Sequence, residues 1–191
     1  SVVAADLPGN TATVYWGYAA AFALLISALM APVVGSIADY AGSKKRLLAW
    51  FAALGVLATA VLFLVDRGDW QLALGCIIVG SIGFAGAAIF YDSLLPHIAG
   101  PDEIDYVSSK GYALGYLGGG LLLAVNIAMI QFLPGTLGAR LSFLSVALWW
   151  GAFTVPLLRW VPEPPANTAG IGVGVNPVRA GFTRLGQTFR H

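Results

Sequence analysis

Gly35-Ser-Ile-Ala-Asp39-Tyr-Ala-Gly42-Ser-Lys44-Lys45-Arg46 is the stretch that orients the rest of the chain. These twelve residues hold one acid, two glycines and three consecutive bases, and they stand between two runs with almost no charge. Placing a charge at the centre of a spanning helix costs about 2.5–3.5 kcal/mol on the insertion scale. The stretch therefore reads as a short loop at a membrane face, with an apolar span on each side.

Upstream, residues 15–37 carry no charge. At about 1.5 Å of rise each they are long enough to cross the roughly 30 Å hydrocarbon layer. Tyr15, Trp16 and Tyr18 form an aromatic belt at the entry, and Pro32 predicts a kink that neighbouring helices can accommodate. Residues 1–14, with Asp6 and Pro8-Gly9-Asn10, read as an extracytoplasmic loop. Downstream, a second span over 47–65 ends at Asp66-Arg67-Gly68-Asp69, a reverse turn, and a third runs over 70–90. Its Gly75, Gly80, Gly83 and Gly86 are small residues that let helix backbones approach closely.

Residues 91–111 are more polar, with Pro96 ending the third span and His97 in the loop beyond it. Pro101 followed by Asp102, Glu103 and Asp105 predicts the first turn of a short surface helix. The fourth and fifth spans cover 112–132 and 141–158, and Pro162, Pro164 and Pro165 end the fifth. Residues 161–191 form a glycine-rich linker and a basic tail. Val178, Phe182, Leu185 and Phe189 mark one helical stripe, which gives either an amphipathic helix in the membrane interface or a disordered segment.

Composition agrees with a membrane bundle. Of 191 residues 58% are hydrophobic and 10% charged, with a mean hydropathy of +0.80, whereas soluble domains carry about 25% charged residues. A net charge of +1 without a basic patch excludes nucleic acid as a partner. One cysteine, Cys76, permits no internal disulfide and reads as a packed thiol. No His, Cys, Ser and acid constellation converges on the spans, so neither an enzyme nor a cofactor or metal site is expected. If the spans alternate, eight of the ten bases lie on the face with the 35–46 stretch and the tail, leaving Arg67 and Arg140 opposite. The positive-inside rule makes that face cytoplasmic.

The 35–46 stretch resembles the loop motif G-x-x-x-D-R-x-G-R-R between the second and third helices of the major facilitator superfamily, with Gly35, Asp39, Gly42 and Lys44 at matching positions. Tyr40 and Ser43 depart from it, and Lys45 and Arg46 stand in for the missing bases. A second likeness lies in Phe90-Tyr91-Asp92-Ser93-Leu94-Leu95-Pro96 and in 108–118, which are similar to the vacuole-effluxer-like branch, the one that holds the autophagy-related permeases. The resemblance implies an all-α polytopic bundle, helices two to six of a twelve-helix permease, with the first helix and second half missing. It implies a secondary transporter of small solutes, amino acids or related organic molecules, in a bacterial inner membrane, with a proton as a possible coupling ion. Asp39 with Lys44, Lys45 and Arg46 then latches the cytoplasmic side in one state of alternating access.

Other residues carry two readings each. Asp92, beside Tyr91, is either a hydrated helix-end acid or part of a proton or gating network. Asn126 is either an interhelical hydrogen-bond partner or part of a substrate pathway. Gly111, Gly115 and Gly119 form two small-xxx-small steps for helix packing. A rival to the transporter is a membrane module that moves nothing and pairs with a partner chain. Either way, glycine-lined faces predict a piece that is unstable without its missing helices.

Overall fold

The structure, a computed structural model, describes residues 10–41 and 43–165, without the side chains of 36–41. Its helices are α1 (Thr11–Ala41), α2 (Lys44–Val61, extended by a 3-10 turn Leu62–Leu64), α3 (Trp70–Ile98), α4 (Ile104–Phe132) and α5 (Leu137–Trp160), with no strand among the described residues. All five are long and apolar enough to cross a membrane. The chain is an all-α integral membrane protein.

Several helices run further than the hydropathy pattern predicts. α1 begins at Thr11 and continues to Ala41, so most of the 35–46 stretch is helix and the turn before Lys44 is very short. The reason is local: residues 36–41 contain neither Gly nor Pro, and nothing there breaks the hydrogen-bond ladder. α3 passes through Pro96 to Ile98. Pro96 forfeits the bond to the Asp92 carbonyl and crowds it, yet the helix runs through it, as α1 and α5 run through Pro32 and Pro156. His97 thus occupies the final helical turn, exposed, rather than a loop. No separate surface helix forms at Pro101. Residues 101–103 are a turn, and Glu103 and Asp105 stand at the start of α4 itself, where negative charge complements the dipole. α5 starts at Leu137, four residues before the apolar run. The stripe at 178–189 lies outside the described residues.

The connections between helices are short. Gly68 and Gly135 have φ of 87° and 62°, a left-handed conformation that side chains rarely adopt, and each closes a turn at the same end of the bundle. Asp66 and Asp69 knit the first of these turns: the Asp66 N–H donates to Asp69 Oδ2 at 3.1 Å, and the Arg67 N–H donates to Asp66 Oδ1 at 2.8 Å.

α2 and α3 pack most closely. A Cβ on Gly83 would stand 2.5 Å from the Gly55 nitrogen and 2.8 Å from the Phe51 carbonyl oxygen, so the two backbones touch where these glycines cross. Beside this crossing the Trp150 ring of α5 fills the space over Gly55, and the Phe51 ring fills that over Gly86. Below it Leu48, Ala52, Ala87, Phe90 and Leu94 form a buried cluster, with Val34, Leu157 and Val161 against its edge. Above it Leu62, Val65 and Cys76 form a smaller one, so Cys76 is a packed thiol as its sequence context predicts. α4 differs: it lies along α5 and buries none of its residues.

Candidate functional site

One face of α3 is left open along its length. Trp70, Leu74, Ile77, Phe84, Ala88 and Tyr91 recur at three- to seven-residue spacing on one side of the helix. They line three adjoining cavities of about 500, 820 and 370 Å³. The opposing wall is an equivalent stripe of α5, from Arg140 and Phe143 through Val146 and Trp150 to Thr154 and Leu157. Together the two stripes form a trough running from one end of the bundle to the other. Phe84 and Trp150 meet edge-on across it, ring centroids 6.1 Å apart, and both line the middle and the lower cavity.

The lower cavity brings Asp92 and Tyr91 of α3 together with Tyr112 of α4 and Thr154 of α5, on apolar walls from Leu48, Ala52 and Leu157. Tyr91 reaches α4 beside Gly111, where a Cβ would lie 3.6 Å from the Tyr91 hydroxyl, an ordinary contact distance. The Thr154 hydroxyl is committed, donating to the Trp150 carbonyl at 2.8 Å. That leaves a solvent-exposed carboxylate and two phenols at the mouth of an apolar cleft. Such a set can accept hydrogen bonds from a cationic or amine-bearing solute, or exchange a proton with water.

The upper cavity is aromatic. Tyr15 stacks on Trp70 with ring centroids 5.2 Å apart, and Tyr15 and Trp16 both line this cavity while staying exposed, as Tyr18 does. Arg140 stands at its rim, with Nε donating to the Phe63 carbonyl at 2.6 Å, the guanidinium over the Phe63 ring and Nη1 3.9 Å from Asp66 Oδ2. These contacts bind the start of α5 to the end of α2.

The structure separates the remaining candidates. Asn126 accepts a 2.7 Å hydrogen bond from the Ser145 hydroxyl across the α4–α5 contact. It lies about 21 Å along α4 from Tyr112 and does not share the Asp92 cleft. Gly115 and Gly119 meet no atom within 4 Å, and Gly111 meets only Tyr91. The glycines in close contact are Gly55, Gly83, Gly86 and Gly138, the last against the Met129 carbonyl.

Of the 35–46 residues, Gly35 stands in open space within α1, Lys44 is buried at 9% exposure, and Arg46 is exposed. The Lys45 N–H donates to Glu163 Oε1 at 3.0 Å. The Asp39 side chain and Gly42 lie outside the described residues. Sequence reading missed Tyr112, Thr154, Trp150 and Glu163. The only signal for Glu163 was a lone acid set between prolines just past the last span.

Comparison with known proteins agrees with this architecture. The model of the family "Vacuole effluxer Atg22 like" matches residues 9–105 and 101–191. The "Uncharacterized MFS-type transporter YxiO" of Bacillus subtilis (strain 168) is 35% identical over 185 residues, covering 93% of this chain and 42% of that protein. Autophagy-related protein 22 of Pyricularia oryzae is 22% identical, covering 84% of this chain and 32% of its own. That of Saccharomyces cerevisiae (strain ATCC 204508 / S288c) is 26% identical over 166 residues, covering 76% and 31%. The chain thus spans less than half the length of these relatives. No solved structure matches it. With a family model that covers nearly every residue and a helical bundle of the expected kind, the chain belongs to the vacuole effluxer Atg22-like family of the major facilitator superfamily.

Proposed function

We propose that this chain is part of the N-terminal half of a secondary transporter that moves small organic solutes, amino acids among them, by alternating access. The observation that carries the proposal is the trough between α3 and α5, with Asp92, Tyr91 and Tyr112 at one end of it. Its apolar walls suit the carbon skeleton of a small solute. The Asp92 carboxylate suits an amine, or the proton that drives transport. The name of the Bacillus subtilis relative as an MFS-type transporter supports the same activity.

In this proposal the Lys45 end of the bundle is cytoplasmic, since among the described residues Lys44, Lys45, Arg46, Lys110 and Arg159 lie at that end, against Arg67 and Arg140 at the other. The membrane is a bacterial inner membrane. Asp39, Lys44, Lys45 and Arg46 hold the cytoplasmic side shut in one state, and the glycine face of α4, open at Gly115 and Gly119, receives other helices of the parent chain.

The test is uptake by the full-length parent chain in proteoliposomes, screened over amino acids and simple amines with and without a proton gradient. Asp92→Asn is expected to lower flux roughly tenfold or more, the equivalent of losing a hydrogen bond to a charged group. Flux that survives Asp92→Asn unchanged removes Asp92 from the path. No flux for any solute, from protein that is well folded, turns the reading toward a non-transporting module that pairs with a partner chain, which the open face of α4 also fits.

A further inference from the structure

α5 and α2 are tied together at both ends, by different means. At the upper end the tie is multiple, with Arg140 holding the Phe63 carbonyl, the Phe63 ring and Asp66. At the lower end, beside the packing of Leu157 and Val161 on the core cluster, a hydrogen bond runs from the Lys45 N–H to Glu163 Oε1, joining positions 118 residues apart. Glu163 follows α5 in the segment 161–165. That segment is seated rather than trailing, with Val161 against the lower core cluster and Pro164 buried. Its carboxylate supplies what α2 lacks locally, since Ser43 at the N-cap makes no side-chain bond. A negative group at that position also meets the positive end of the helix dipole.

We propose that Glu163 is a positioning residue, a releasable latch that sets access to the Asp92 cleft. Leu48, one turn beyond Lys45 on α2, and Leu157, six residues before Glu163 on α5, both line that cleft. The Glu163 bond holds these two helix ends together across the cleft mouth, and its release lets them part. The purpose of the latch rests on the transporter reading, but its effect on the cleft does not.

The experiment places a single reporter cysteine at Ala88, which lines the cleft, in an otherwise cysteine-free full-length chain. Its labelling rate by a membrane-impermeant maleimide is measured from the Lys45 face in membranes, alongside thermal stability. Glu163→Ala is expected to raise the rate about threefold, the scale of an exposed charged contact, and Glu163→Gln, which keeps an acceptor oxygen, to raise it less. Arg140→Gln, which loosens the other end, is expected to leave the rate unchanged. A Glu163→Ala protein that melts lower with the same labelling rate overturns the latch and leaves a passive cap. Equal rises for Glu163→Ala and Arg140→Gln also overturn it, as general loosening. Labelling shifts of the expected pattern without flux of any solute support the latch while removing the transporter reading.

Discussion

Gly83 and Gly75 lie in the same helix, yet their surroundings differ completely. A methyl group on Gly83 meets the backbone of Gly55 and the carbonyl of Phe51, whereas one on Gly75 meets nothing within 4 Å. Gly83→Ala is therefore expected to destabilise the bundle by about 1–3 kcal/mol, as overpacking does. Gly75→Ala is expected to leave stability unchanged or to raise it, since alanine is the better helix former. Melting temperatures of the two variants in detergent check this; equal values would mean that the α2–α3 crossing is looser than the structure has it. Asn126 and Ser145 give a second test. Their bond spans two helices, and such bonds average about 0.6 kcal/mol in membrane proteins. Asn126→Ala and Ser145→Ala are expected to be sub-additive in a double-mutant cycle, with the coupling lost if the bond does not form. Sequence reading had Asn126 both as this partner and as a pathway residue, and periodicity could not decide, because the decision depends on which face of α4 meets α5.

At the scale of the helix, existence and approximate position followed from hydropathy, and the ends did not. α1 and α3 continue past the apolar runs because a helix stops where its hydrogen bonds are broken, not where its side chains become polar. Residues 36–41 and 91–98 offer no break except Pro96, through which α3 continues as α1 and α5 do through Pro32 and Pro156. α4 shows the converse. Its glycine steps read as a packing surface, and among the described residues that surface is bare at Gly115 and Gly119. In the full-length chain Gly115→Leu is expected to lower the melting temperature by blocking close approach of another helix. A full-length Gly115→Leu protein as stable as its parent would show that this face meets lipid.

For the whole molecule, the loosest part is α4. α4 buries none of its residues, and Tyr116 and Phe132 on it are at least 80% exposed. The 191-residue piece alone is expected to aggregate or to melt without cooperativity in detergent, while the longer parent melts as a unit; a monodisperse, cooperative product would contradict this. What the sequence by itself determined is the class of the protein: five apolar spans, charges gathered at their ends and a helical bundle, because a bilayer admits little else from such a chain. The family likeness was legible too, in the 35–46 stretch and in 90–96. What only the tertiary structure decided is which residues face one another. The trough along α3, the Gly55–Gly83 crossing and the reach of Glu163 to Lys45 all depend on the rotation of each helix about its own axis. That rotation is set by packing against neighbours distant in sequence, and in spans that are apolar all round no hydrophobic stripe announces it.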